Sequence, residues 1–201
     1  MTTAVSADLE RHVSCLIVAI EFYPQMAIKM IKAEVNRVLK RIENKSSNYC
    51  EKYLKSSKED LISKLSTSGF NELDITLLYR LMRQLRLVSI PTQKWGNQPL
   101  ARNMKQGDDL ERMRINRNHI IHRRTVTVSE EKRDTFFKES IEIACRIDKF
   151  MRDSTGSLEA KIRNAKMYSV TQEQSRQALE KCPNLQGKFN IPQITEIMLT
   201  L

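Results

Sequence analysis

One segment of the chain carries side chains that could bind phosphate and move protons, residues 108–124, DDLERMRINRNHIIHRR. Two of the three histidines lie in it. Histidine gives and takes protons near neutral pH. Arginine stabilises the spread negative charge of a phosphoryl transition state. Asn118 can orient either group or the substrate. Across residues 101–125 seven basic side chains face three acidic ones, a local balance of +4. Arg117, Asn118 and His122 are therefore the candidate reactive group. Arg112, Arg114, His119, Arg123 and Arg124 are candidate phosphate ligands, with a solvated basic face as the plain alternative.

No carboxylate cluster in the sequence suggests a metal site, and no glycine-rich loop suggests a nucleotide phosphate cradle. A phosphodiester cleaved without a metal needs a nucleophile close at hand. RNA supplies one in its own 2′-hydroxyl. The chemistry thus points to RNA rather than DNA, with a 2′,3′-cyclic phosphate and a 5′-hydroxyl as products. No cofactor is expected. His119 and His122 have the i, i+3 spacing of metal ligands, but no third ligand is evident, so His119 reads as a group lining the same groove. Asp109 and Glu111 read most simply as helix-start acids. An ion pair to a site arginine is the sharper reading.

The spacing of the reactive pair poses a geometric problem. Five residues apart, Arg117 and His122 point about 140° away from each other on a regular helix and lie about 7.5 Å apart along it. They can converge if the helix ends or distorts between them, or across a symmetric dimer. Arg114 and Arg117 also lie near the apolar Leu110, Met113, Ile120 and Ile121. An arginine beside an apolar stripe wants an acidic partner or an anionic ligand.

The elements that must position these residues read as helices. Val13, Leu16, Ile17 and Ile20 form one stripe in residues 6–43, and Ile28, Ile31, Val35, Val38, Leu39 and Ile42 form another. Pro24 should kink or split the helix between them. Residues 44–69 are polar, with a weak helix at 58–65. Asn71 is the expected cap of the next helix, with Asp74 three residues on. That helix should run to about Val88 on Leu73, Leu77, Leu78, Leu81, Met82, Leu85 and Val88. Residues 89–107 form a loop around Trp95, the single tryptophan. It should anchor the loop to the core, base stacking being its other possible role. Asp108 starts the helix that ends near His122 or Arg124. Residues 124–128 are a connector. Ser129 caps a last long helix to about Met151, buried along Phe137, Ile141, Ala144, Ile147 and Met151. Beyond it, residues 157–167 and 171–181 read as amphipathic fragments.

Composition agrees with an all-α protein. Five glycines and five prolines in 201 residues are too few for an all-β chain of many turns. A net charge of +10 draws the chain to polyanions. Cys15, Cys50, Cys145 and Cys182 are far apart, which argues against zinc and against a disulfide framework. Cys15 and Cys145 read as buried thiols. The N-terminus lacks a signal peptide's cationic start, and the apolar run Cys15–Ile20 is too short to span a bilayer. The expectation is a cytoplasmic protein with no membrane partner.

Arg117-Asn118-His119-Ile120-Ile121-His122 is similar to the R-N-x-x-x-H form of the R-x(4–6)-H motif of the HEPN superfamily. Residues 74–122, from DITLLYRLMRQL through KWGNQP to DDLERMRINRNHIIH, resemble the HEPN-like domain of the DAZ-interacting-protein-3 class of ubiquitin ligases. The resemblance spans roughly residues 8–152. It implies that the four to five helices over residues 6–152 form a HEPN-like bundle; the residues themselves read as a linker and a helical C-terminal extension of unknown role over 153–201. It also implies a homodimer that brings two motifs together, and a metal-independent endoribonuclease of the kind found in toxin and antiviral systems. In that role Arg117 stabilises the phosphate, Asn118 positions it and His122 is the acid–base, with single-stranded RNA as the partner. Other branches of the superfamily imply the alternative, a non-catalytic RNA-binding or dimerisation module.

Overall fold

The computed structural model describes residues 2–31, 35–122, 128–152, 156–167 and 170–180. The described residues are helical and contain no strand, as an all-α fold requires. The helices are α1 (Thr2–Ile17), α2 (Tyr23–Met30), α3 (Val35–Glu43), α4 (Ser47–Tyr49), α5 (Lys58–Ser68), α6 (Ile75–Gln84), α7 (Gln106–Ile121), α8 (Glu130–Phe150), α9 (Ser157–Met167) and α10 (Gln172–Glu180). They divide into two compact units. Tyr23–Arg114 forms one, and the chain before and after it forms the other.

Pro24 does not split its helix. Its ring crowds the carbonyl four residues back, at Ile20, and offers that carbonyl no N–H. The chain absorbs the misfit in a π-helical turn, Val18–Phe22, and α2 resumes at Tyr23 with Pro24 in its first turn. Helix α2 ends at Met30 and α3 begins at Val35; the part of the expected helix at 32–34 lies outside the described residues. The helical stretch Glu10–Met30 is long and apolar enough by composition to cross a bilayer, but most of it is buried within the protein, as in a core helix.

In the Tyr23–Arg114 unit, α2 packs on α6 and α3 on α5. The polar stretch after α3 is more ordered than its composition suggests. A second π-turn, Cys50–Leu54, buries both of its end residues and packs on α6. Ser46 and Ser57 cap α4 and α5, accepting from Tyr49 N and Asp60 N at 3.1 Å each. Helix α6 begins and ends differently from its sequence reading. Asp74, not Asn71, is the cap, its carboxylate accepting from Leu77 N at 2.7 Å. Leu73 and Leu78, the staple positions around that cap, are both buried. The helix stops at Gln84 rather than Val88. Arg86 takes the left-handed conformation (φ 51°), and Leu87 N reaches back to Met82 O at 2.9 Å in a Schellman closure.

In the other unit, α1 packs on α8 and α10, and α8 packs on α9. Ser129 caps α8 as expected, accepting from Lys132 N at 3.4 Å. The buried face of α8 is wider than its predicted stripe. Ile141 and Met151 are only half-buried, while Phe136, Ser140, Ile143 and Asp148 turn inward, because α8 is covered by two helices rather than one. Cys145 is also half-buried, unlike Cys15 and Cys50. Cys182 lies outside the described residues.

Asp148 is 3% exposed and has a clear duty. Its Oδ2 accepts from Leu158 N and Glu159 N, both at 3.2 Å, taking up free donors at the start of α9. It caps a helix from another element. Asp148→Ala should therefore lower stability by about 1–2 kcal/mol. Urea denaturation measures this, and an unchanged midpoint would mean that the carboxylate does not hold α9.

Candidate functional site

Helix α7 carries every described candidate site residue within its span or one position past its end. The boundary between the two units falls inside it, between Arg114 and Ile115. Its two halves are built differently.

The first half is a set of buried charges that organises the 89–105 loop. Asp108, fully buried, accepts from Thr92 N at 2.6 Å, Thr92 Oγ1 at 2.9 Å and Lys105 N at 2.9 Å. It ties the two ends of the loop to one carboxylate. Glu111, also fully buried, accepts from Tyr79 Oη at 2.6 Å, Gly96 N at 2.8 Å and Arg114 Nε at 2.7 Å. The helix-start reading of these acids is thus too plain. Asp109 and Glu111 are ion-paired to Arg112 and Arg114, at 2.9 and 2.7 Å.

Arg112, expected at a phosphate, is 6% exposed. Its guanidinium donates to Asp109 Oδ1, Leu100 O and Asn103 O, so it faces the loop backbone. Arg114 is half-buried. It lies 5.5 Å from the Tyr79 ring centroid and donates also to Gly96 O at 3.4 Å. Trp95 meets Tyr79 edge to face at 5.8 Å, with Arg83 6.0 Å from the indole. The tryptophan is the loop anchor. Gly96, at φ 90°, supplies the left-handed turn beside it that a larger residue rarely adopts.

The second half brings the reactive residues together. The helix ends at Ile121, and His122 stands in the turn just beyond it. Buried Ile120 and Ile121 hold that end to the core. Arg117 Nη1 donates to Asn118 Oδ1 at 3.1 Å and stands 3.5 Å from His122 Nε2. The two side chains meet within one chain through the reach of the arginine, while His122 N still donates to Asn118 O at 3.0 Å. Arg117 can donate to Nε2 only while the ring proton sits on Nδ1. Among the described residues, Arg117 Nε is buried and makes no hydrogen bond. His122 is exposed, while Arg117 and Asn118 are half-buried. Arg123 and Arg124 lie outside the described residues.

His119 points elsewhere. It is exposed and lines a groove of about 540 Å³ with Asn116, Ile120, Thr135, Phe136 and Glu139. Asn116 Nδ2 donates to Glu139 Oε2 at 2.6 Å in that groove. Sequence reasoning missed this pair, because nothing local links two polar residues on separate helices. It also missed the burial of Glu111. A carboxylate directly after Leu110 and four residues before Ile115 was the available signal. Among the described residues, no group of three His, Cys, Asp or Glu is placed to hold a metal ion.

An all-α chain with this R-N-x-x-x-H helix end and Trp-Gly loop has the makings of a HEPN protein. The comparison with known families agrees: the model described as DZIP3/hRUL138-like HEPN matches residues 32–173. The match covers more than half of the chain, which therefore belongs to that family. No curated protein and no solved structure matches it.

Burial, followed by the hydrogen bond to Glu111, pushes the Tyr79 phenol up to about 12, against the opposing charges of Arg114 and Arg83. A raised folded value means full stability below the ordinary phenol range and loss as pH climbs through it. Glu111→Gln should lower stability by about 2–3 kcal/mol, because Arg114 loses its partner ion and the buried donors lose an ionised acceptor. It should also bring the Tyr79 titration back toward the ordinary range. Chemical denaturation and tyrosinate absorbance check the two halves; a phenol that titrates as before would refute the role given to Glu111.

Proposed function

We propose that the chain is a metal-independent endoribonuclease that cleaves single-stranded RNA by 2′-hydroxyl attack. The observation that carries this reading is the convergence of Arg117 on Asn118 and His122, at 3.1 and 3.5 Å. In this reading His122 takes the proton from the 2′-hydroxyl. The 2′-oxygen attacks the adjacent phosphorus, and the bond to the 5′-oxygen breaks. A second copy of the chain completes the site, and its own His122 protonates the leaving oxygen. Arg117 sits against the phosphoryl oxygens as charge builds on them, and Asn118 fixes the guanidinium. The products are a 2′,3′-cyclic phosphate and a 5′-hydroxyl, and no atom is left over.

The net charge of +10 supports a polyanionic substrate. The arginines contribute unequally to it. Arg112 serves the loop backbone and Arg114 is paired with Glu111, so the phosphate contacts of this reading fall to Arg117 and to Arg123 and Arg124 beyond the motif.

The test is cleavage of labelled single-stranded RNA in EDTA at several protein concentrations. His122→Ala should slow cleavage by at least about 100-fold while RNA binding survives, since general acid–base groups contribute on that scale. Arg117→Ala should slow it as strongly and weaken binding as well. Wild-type activity should rise more than linearly with protein concentration if two copies form the site. Cleavage by neither wild type nor variant, over varied RNAs, would leave the non-catalytic RNA-binding or dimerisation module as the reading.

A further inference from the structure

The Trp-Gly loop is held far more tightly than a connector needs. Connectors normally run over the surface with few internal ties. Here Asp108 binds Thr92 and Lys105, Glu111 binds Gly96, and Arg112 binds the carbonyls of Leu100 and Asn103. Gly107 seals the arrangement. A Cβ there would stand 2.1 Å from Ser89 O and 2.8 Å from Pro91 N, so the two ends of the loop touch.

What the clamped loop displays is unusual. Ile90, Leu100 and Met104 are 60%, 48% and 63% exposed. Ile90 lies two residues before Thr92 and Met104 one before Lys105, and both of those neighbours are bound to the Asp108 carboxylate. The clamp thus brings two exposed apolar side chains to one end of the loop. Residues 86–107 contain Arg86, Lys94, Arg102 and Lys105, all exposed, and not one Asp or Glu. Large apolar side chains shown on a pre-ordered surface that carries charge of one sign only mark a recognition site, because the ordering entropy of binding is already met.

We propose that residues 86–107 form a docking surface for an acidic protein segment bearing aliphatic side chains. Charge complementarity sets the acidic character of the partner. It also disfavours a second copy of the same loop, which would set like charges against each other. Aliphatic exposure sets the rest. RNA is held through phosphates and stacked bases, but Ile90, Leu100 and Met104 offer no stacking face, and the Trp95 ring is engaged by Tyr79 and Arg83. In the chain between Ile90 and Leu100 stand the exposed amides of Asn97 and Gln98. Their burial in a bilayer is unfavourable, whereas a peptide backbone can hydrogen-bond to them. The surface is independent of the Arg117–His122 chemistry.

Panning a phage-displayed random-peptide library on the full chain tests the proposal, with counter-selection on the double variant Arg102→Glu, Met104→Ser. Enriched peptides should combine Asp or Glu with Leu, Ile or Val. A synthesised winner should bind the wild type at least about tenfold more tightly than the variant, and less tightly as salt is raised. Both positions are exposed, so the circular dichroism of the variant should match the wild type. A second double variant, Ile90→Ser, Lys105→Glu, should give the same loss. No enrichment, or winners that bind wild type and both variants alike, overturns the proposal. So does binding of poly(U) RNA or phosphatidylserine vesicles that the variants abolish while peptides are ignored.

Discussion

Three carboxylates removed from water at the start of α7 impose the strictest condition on this structure. Asp108, Asp109 and Glu111 are at most 3% exposed. An ionised carboxylate in such a place is tolerated only if its lone pairs are met by donors. The donors come from near and far along the chain: Tyr79 on α6, Thr92, Gly96 and Lys105 in the loop, and Arg112 and Arg114 on α7 itself. None of these contacts is optional once the acids are buried. The loop, α6 and the first turns of α7 are therefore tied to one another through these acids.

The same helix uses its other end in the opposite way. At its start, side chains of α7 satisfy backbone N–H groups of the preceding loop. At its finish, His122 N donates to Asn118 O at 3.0 Å, so the imidazole is carried by the last hydrogen-bonded turn. The buried Ile120 and Ile121 pin the last turn. Arg117 then reaches past that turn to within 3.5 Å of the imidazole.

Electrostatics divides residues that sequence treats alike. Arg112, Arg114 and Arg117 lie within two turns and carry the same charge. Arg112 is buried against Asp109 and two carbonyls, Arg114 is paired with Glu111 and lies over Tyr79, and Arg117 faces Asn118 and His122. Local charge density therefore overstates the cation available for an anionic ligand near α7. It understates that of the loop, where Arg86, Lys94, Arg102 and Lys105 are exposed with no acid among them.

Periodicity and composition were enough to read the all-α class, the core of α6, the cap and length of α8 and the two helices after it. Those features rest on contacts within a few residues, so the pattern of side chains carries them. The R-N-x-x-x-H string and its helical setting were enough to mark the family. What depended on distant residues was not legible. Pro24 marked a misfit, but whether the chain would break or take a π-turn depended on the packing around it. The cap fell to Asp74 rather than Asn71 because Leu73 had to enter the core. The partner of each arginine, the burial of Glu111 and the Asn116–Glu139 pair are decided by which groups meet across the fold. A charged side chain settles where its desolvation is compensated, and only the tertiary structure supplies the compensating group.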